Sequence, residues 1–196
     1  MPAHTRTTNE EILAAAVHLV EEGGPDALTM KAVAARVGVQ PPSLYKRVQD
    51  REHLLGMVAE RAASDVAAVL EEAQRAAGED PLDGVIAMAR SLREFAHGHP
   101  RLFGLLFAAL PDAARPSRDV LARASAAVLT AGGRLAGPER ALDAARTITA
   151  WAYGFLTMEL AGAFQLGGEP GEAFEFGAHA IAHSLEQPMD EPGKAR

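Results

Sequence analysis

Apolar residues recur along this chain at intervals of three and four from Ile12 to Leu185. Nowhere do they alternate with the period of two that marks a strand, so the pattern predicts helices almost throughout. Thr8-Asn9-Glu10-Glu11 is a capping-box signature, in which Thr8 and Glu11 satisfy each other's backbone donors. Behind it Ile12, Leu13, Ala16, Leu19 and Val20 form one stripe, and Gly23-Gly24 ends the first helix. Thr29 caps a second, short helix that turns Met30, Val33, Ala34 and Val37 inward. It closes at Gly38, where a glycine takes the left-handed backbone of a sharp turn. A third begins at Pro41-Pro42, whose missing N–H groups would be unpaired in a first turn anyway, and faces Leu44 and Val48 inward. Asp50 caps a fourth helix that carries Leu54, Leu55, Val58 and Ala62 to about Ala77. Further helices are predicted over 81–97, just after Pro100, and over 117–135, 138–166 and 171–185. A loop with two prolines lies around 110–117, and the polar tail 188–196 is expected to be disordered. The expected fold class is all-α.

Charge divides this helical chain into two parts. The formal net charge is −7 over 196 residues, yet residues 1–51 balance six basic against six acidic side chains, so the whole acidic excess lies beyond them. Residues 29–51 alone hold Lys31, Arg36, Lys46, Arg47 and Arg51 against Asp50. Such a basic island inside an acidic chain suits a polyanion. The hydrophobic fraction of 48% and the charged fraction of 23% are ordinary for a globular protein. With no cysteine there is no disulfide framework, thiolate zinc site or Cys nucleophile. No stretch approaches the length of a bilayer span and no signal-like segment opens the chain, so the expected location is cytoplasmic, with no membrane partner.

A short helix, a turn at Gly38 and a second short helix make a helix-turn-helix, the unit that sets its second helix in the DNA major groove. With Val33, Ala34, Val37, Leu44 and Val48 inward, the outward set is Gln40, Ser43, Tyr45, Lys46 and Arg47. Gln and Ser hydrogen-bond base edges, Lys and Arg reach guanine or phosphate, and a tyrosine hydroxyl bonds phosphate. Thr29 and Arg51 sit at helix starts that favour phosphate oxygens, and Lys31 adds a cation beside them. The same pattern is also compatible with a polar turn between packed helices. The stretch "LTMKAVAARVGVQPPSLYKRVQDREHLL", after the start "TTNEEILAAAVHLVEEGG", closely resembles the N-terminal domain of TetR-family transcriptional regulators. Leu28-Thr29, Val33-Ala34, Gly38-Val39, Leu44-Tyr45, and Arg51 before Leu54-Leu55 carry the likeness. Val48 stands where the family usually has an aromatic residue, and Arg51 where it usually has lysine. By this resemblance Thr29, Tyr45, Lys46 and Arg51 are phosphate contacts, and Gln40, Pro41, Ser43 and Arg47 are base or groove contacts. It also implies a DNA-binding domain over 1–51, followed over 52–187 by a helical ligand-binding and dimerisation domain. The protein implied is a homodimeric repressor that leaves operator DNA, a duplex, when a small-molecule inducer binds.

The segment "ITAWAYGFLTMELAGAF" somewhat resembles the C-terminal domain of a subgroup with a Trp and His-Gly motif, with Tyr153-Gly154 in place of His-Gly. Met88, Phe95, Phe103, Phe107, Trp151, Tyr153 and Met158 suit a pocket for a largely apolar ligand, although any single one of them is more often plain core. Phe155, Gly162, Ala163 and Leu166, with Phe174, Ala178, Ile181 and Ala182 of the last helix, make apolar faces that would either pair two subunits or pack within one. Glu94-Phe95-Ala96-His97 has the spacing of di-iron bundles but lacks the second motif such a site needs. His179 and His183, one turn apart, read as a solvated or interfacial pair, so no metal and no cofactor are expected. A helical enzyme or small-molecule carrier with a vestigial helix-turn-helix is the alternative, although no phosphate loop or nucleophile elbow is present.

Overall fold

A computed structural model describes residues 7–186, and among these there are nine α-helices and no strand. They are α1 (Asn9–Gly23), α2 (Met30–Arg36), α3 (Pro41–Leu44), α4 (Arg51–Ala76), α5 (Pro81–Gly98), α6 (Pro100–Leu105), α7 (Arg118–Ala136), α8 (Ala141–Leu160) and α9 (Pro170–Leu185). Short 3-10 turns occupy Pro25–Ala27, Asp112–Ala114 and Pro138–Arg140. The expected disordered tail, 188–196, lies outside the described residues. Two compact units share the chain. The first runs to Asp65 and adds Phe95–Ala122, and the second takes Val66–Glu94 and the chain from Arg123.

In the first unit, Ile12, Ala16 and Val20 of α1 are buried, as are Leu28, Val33, Ala34, Leu44, Val48, Leu54 and Val58, so the apolar stripes of α1 to α4 close on one another. The Thr8 capping box forms as the sequence predicts: the Glu11 N–H donates to Thr8 Oγ1 at 3.1 Å and the Thr8 N–H to Glu11 Oε2 at 2.7 Å. At the other end of α1 the Leu102 N–H donates to Glu21 Oε1 at 3.3 Å, and Arg101 Nη1 donates to the Glu21 carbonyl at 3.0 Å. His99 Nδ1 lies 3.6 Å from that carboxylate. The loop before α7 rests on α4, where a β-carbon at Gly56 would stand 3.2 Å from Ala114 Cα. There the Ser117 N–H donates to Glu60 Oε1 at 3.0 Å.

The second unit is held by apolar residues of α5 (Val85, Ile86, Met88, Ala89), α8 (Ala144, Ile148, Ala152, Leu156) and α9 (Phe174, Ala178, Ala182), all buried. Trp151 lies against α9 at Gly177, where a β-carbon would come within 2.6 Å of Trp151 Cζ2, so only glycine fits. The indole stacks on Phe174 with centroids 5.1 Å apart, and Phe155 meets Phe174 at 5.3 Å and Phe164 at 4.8 Å. Two forked ion pairs cross this unit. Arg93 Nη2 donates to Glu159 Oε1 at 2.6 Å, with the Glu159 side chain only 7% exposed, and Arg90 Nη2 donates to Glu175 Oε2 at 2.7 Å.

Two expectations change here. The helix predicted over 138–166 begins only at Ala141, after a 3-10 turn, and ends at Leu160. Gly162 takes φ +64° there. Its N–H donates to the Glu159 carbonyl and that of Ala163 to the Met158 carbonyl, the paired bonds of a glycine-closed helix end. Gly162, Ala163 and Leu166 therefore belong to an exposed connection and not to a helix face with Phe155. On α9, Phe174, Ala178 and Ala182 point into their own unit, with Ile181 half-buried. The large apolar side chain left outside is Phe176, which is 78% exposed.

Candidate nucleic-acid interface

The helix-turn-helix is built by two local devices. Thr29 Oγ1 accepts the Ala32 N–H at 3.1 Å and so starts α2. At its end Gly38, at φ +72°, donates to the Ala35 carbonyl while the Val39 N–H donates to Ala34, which turns the chain sharply into α3. Pro41 and Pro42 then open α3, a single helical turn continued by a turn through Arg47. Leu44 and Val48 are buried, so their neighbours must face out: Gln40, Ser43, Lys46 and Arg47 are exposed, and Tyr45 is 56% exposed, while Pro41 is half-buried. Thr29 and Lys31 are exposed on α2. A surface groove of about 480 Å³ runs along Ser43, Lys46 and Arg47 to Thr7 and Val39.

The five cations of the island are not equivalent. Arg36 donates to Glu22 at 2.7 Å, and that hydrogen bond holds the Glu22 carboxyl below its ordinary value. Arg47 Nη1 donates to Asn9 Oδ1 at 3.1 Å. Arg51 donates through Nε to the Leu28 carbonyl at 2.8 Å and through Nη2 to the Pro25 carbonyl at 2.7 Å. Lys31 and Lys46 stand exposed on α2 and on the turn after α3. A sequence pattern identifies which residues are cationic and outward; the partners of Arg47 and Arg51 lie 38 and 23 or more residues away, at separations no local periodicity reports.

The residues expected to line a ligand pocket fall into both units. Phe95 and Phe103 are buried and Phe107 is exposed in the first, where Phe103 meets Phe107 edge-on at 6.2 Å. In the second, Met88 is buried, Trp151 and Tyr153 are half-buried and Met158 is exposed. Sequence reading missed the Arg93–Glu159 and Arg90–Glu175 pairs. The only local signal for them is two arginines three apart on α5, since their partners are 66 and 85 residues on. No group of three or more His, Asp or Glu side chains suited to a metal ion occurs among the described residues.

An outward row of polar and basic side chains on a helix-turn-helix with a buried apolar side, followed by a helical remainder, is an arrangement suited to a DNA-binding regulator. Residues 12–58 match the family model for bacterial regulatory proteins of the tetR family, and residues 85–181 match that for a tetracyclin repressor-like C-terminal domain. An HTH-type transcriptional regulator of Mycobacterium tuberculosis, Rv0681, is 31% identical over 162 residues, which cover 80% of this chain and 72% of that protein. The chain belongs to the TetR family of bacterial regulatory proteins. Its fold is similar to that of a solved protein from Rhodococcus sp. RHA1, at a TM-score of 0.79 and 24% identity over 95% of this chain and all of the other. It is also similar to the fold of a TetR variant from Acinetobacter baumannii AYE solved with minocycline, at a TM-score of 0.66 and 24% identity over 92% and 97% of the two chains. No helix among the described residues is long and apolar enough to cross a membrane.

Proposed function

We propose that this chain is a cytoplasmic, homodimeric repressor that leaves its operator when a small, largely apolar molecule binds the helical remainder. The observation that carries the dimer is the set of large apolar side chains left exposed around α8 and α9: Leu142, Met158, Phe164, Leu166 and Phe176. Single exposed leucines need no explanation, but several such residues within one pair of helices and their connection mark an interaction surface. A second copy is the natural cover, because one turn of recognition helix reads few base pairs and paired half-sites double the reading. Gly162, Ala163, Leu166, Ile181 and Phe176 would lie in that interface.

On the DNA side, Gln40, Pro41 and Ser43 read base edges or the groove while Thr29, Lys31, Tyr45 and Lys46 hold phosphates, with Arg47 at the edge of the same surface. For the ligand, support comes from Met88, Trp151, Tyr153 and Met158 of the second unit and from the capacity of a similar fold to hold minocycline. Such a ligand must bind the DNA-free arrangement more tightly, since equal affinities shift nothing. By reciprocity operator DNA weakens ligand binding by the same factor.

Sedimentation and a salt-dependent gel shift test the proposal together. The wild type should sediment as a dimer and bind duplex DNA with a steep salt dependence. Phe176→Glu with Leu166→Glu should sediment as a monomer and lose specific binding. A wild type that remains monomeric on its selected DNA would overturn the dimer. Calorimetric titration of a releasing compound with and without that DNA must give unequal affinities.

A further inference from the structure

We propose that Arg51 serves DNA binding chiefly as a positioning residue: its guanidinium fixes the entry of α2 by holding the Pro25 and Leu28 carbonyls, beyond any charge it offers a phosphate. Nε and Nη2 donate to two carbonyls at the two ends of the 3-10 turn, at 2.8 and 2.7 Å, with the Asp26 carboxylate 3.9 Å from Nη2. Leu28 is completely buried, and the next residue, Thr29, caps α2. The grip is therefore applied one residue ahead of the helix that carries Thr29 and Lys31 and leads into the recognition turn.

The other end of the grip is equally fixed. Arg51 is the first residue of α4, and the start of that helix is set by two hydrogen bonds through His53. Asp50 Oδ1 accepts the His53 N–H at 2.8 Å, while His53 Nδ1 accepts the Gln49 N–H at 3.2 Å. Arg51 thus ties a rigid helix start to the chain just before α2, and closes residues 29–50, the whole reading element, into a loop held at both ends. Planar geometry matters here. A guanidinium that bonds two carbonyls through Nε and Nη2 has its plane fixed, whereas a lysine ammonium is a point charge on a flexible stem. With those donors turned toward the backbone of its own chain, the side chain presents less of its hydrogen-bonding edge to a phosphate.

The inference rests on the helix-turn-helix binding DNA, and the experiment separates the two. A duplex is selected from a random pool by the wild-type chain. Affinities of wild type, Arg51→Lys, Arg51→Ala and Lys46→Ala for that duplex and for a mixed-sequence duplex of equal length are then measured across a salt series. Temperatures are chosen at which circular dichroism shows each variant fully folded. Wild type and Lys46→Ala report on DNA binding itself: Lys46→Ala should lose about 0.9 in the slope of log affinity against log salt, the signature of one phosphate contact. For Arg51→Lys and Arg51→Ala the expected result is a loss of tenfold or more on the selected duplex, a smaller loss on the mixed one, and a slope within a few tenths of wild type. A variant that merely lowered stability would leave the ratio between the two duplexes unchanged when fully folded. Full affinity in Arg51→Lys with a slope lowered by about 0.9 in Arg51→Ala would make Arg51 a phosphate contact and overturn the proposal. Unchanged binding in both variants would overturn it as well. Should Arg51→Ala fail to fold, hydrogen exchange of Arg51→Lys decides: the Ala32 and Val33 amides should exchange faster than in wild type, and equal rates would refute the role.

Discussion

The α2–α3 pair and the α8–α9 pair are both two helices joined by a glycine-closed turn, yet they keep their apolar residues differently. In α3 and the turn that follows it, the buried aliphatic side chains have polar neighbours: Leu44 is buried between exposed Ser43 and Tyr45, and Val48 between exposed Arg47 and Gln49. In α9 Phe174 is fully buried while Phe176, two residues on, is mostly exposed, and apolar character is present on both sides of the helix. Polar contrast fixes which way a helix faces, and where it is missing the identity of a residue does not say which side meets the core. A pair built for a polyanion needs that contrast. A pair that carries apolar side chains on both faces lacks it.

The largest test of the difference is a pair of alanines on α9. Phe174→Ala should lower the free energy of unfolding in urea by about 3–5 kcal/mol, because the ring stacks on Trp151 and Phe155 in a closed core. Phe176→Ala should change the stability of the single chain by less than about 0.5 kcal/mol and register only in self-association. Equal losses would erase the inward and outward distinction. Gly177→Ala comes next, at about 1–3 kcal/mol, since its β-carbon would press into the indole of Trp151, which cannot swing away as a flexible side chain could. A thermal melt unchanged by that methyl would mean that α8 and α9 are not in such close contact.

On the other pair, Lys46→Ala should leave the melt within about 0.5 kcal/mol of wild type. It should still weaken binding to all duplexes alike, so its effect is read on DNA and not on the fold. A further small effect concerns Glu175, whose carboxyl the Arg90 hydrogen bond holds below its ordinary value. A carboxyl that titrates lower in the folded chain than in the unfolded one stabilises the fold above its unfolded pKa, and that gain is lost as pH falls through the lowered value. The wild type should therefore exceed Glu175→Gln in stability at neutral pH by less than about 1 kcal/mol, a small margin because both side chains are about half exposed. The margin should vanish under strongly acid conditions. A constant difference down to acid pH would show that the pair is not its source.

How much of this was legible in the sequence follows from the range of the signals. The Thr8 box, the Gly38 turn and the Pro41-Pro42 start are local chemistry, and each appears in the structure where it was read. The all-α class and the TetR-family resemblance were likewise legible, because they rest on motifs within about fifty residues. The end of α8 was misplaced by six residues, since a glycine after Leu160 reads equally as a small contact residue or as a helix cap until its φ is known. The faces of α9 were left open between pairing and internal packing because Phe, Ala and Ile occur on both. The ion pairs of α5 and the ties of Arg47 and Arg51 join residues that only folding brings together.

Glu21 and Glu22 place two carboxylates in the last turn of α1, where no basic residue of that helix accompanies them and the helix dipole already favours cations. The compensation is imported: Arg36 from α2, and from residues some eighty positions downstream Arg101, with His99 beside it. The end of α1 is therefore completed in part by chain that is synthesised much later. A ribosome that has released residues 1–65 has made all three helices of the reading head and Arg36, but not Arg101 or His99. The head should gain its full resistance to protease only after α6 has emerged, and a fragment cut before Phe95 should fray from the Gly23 end.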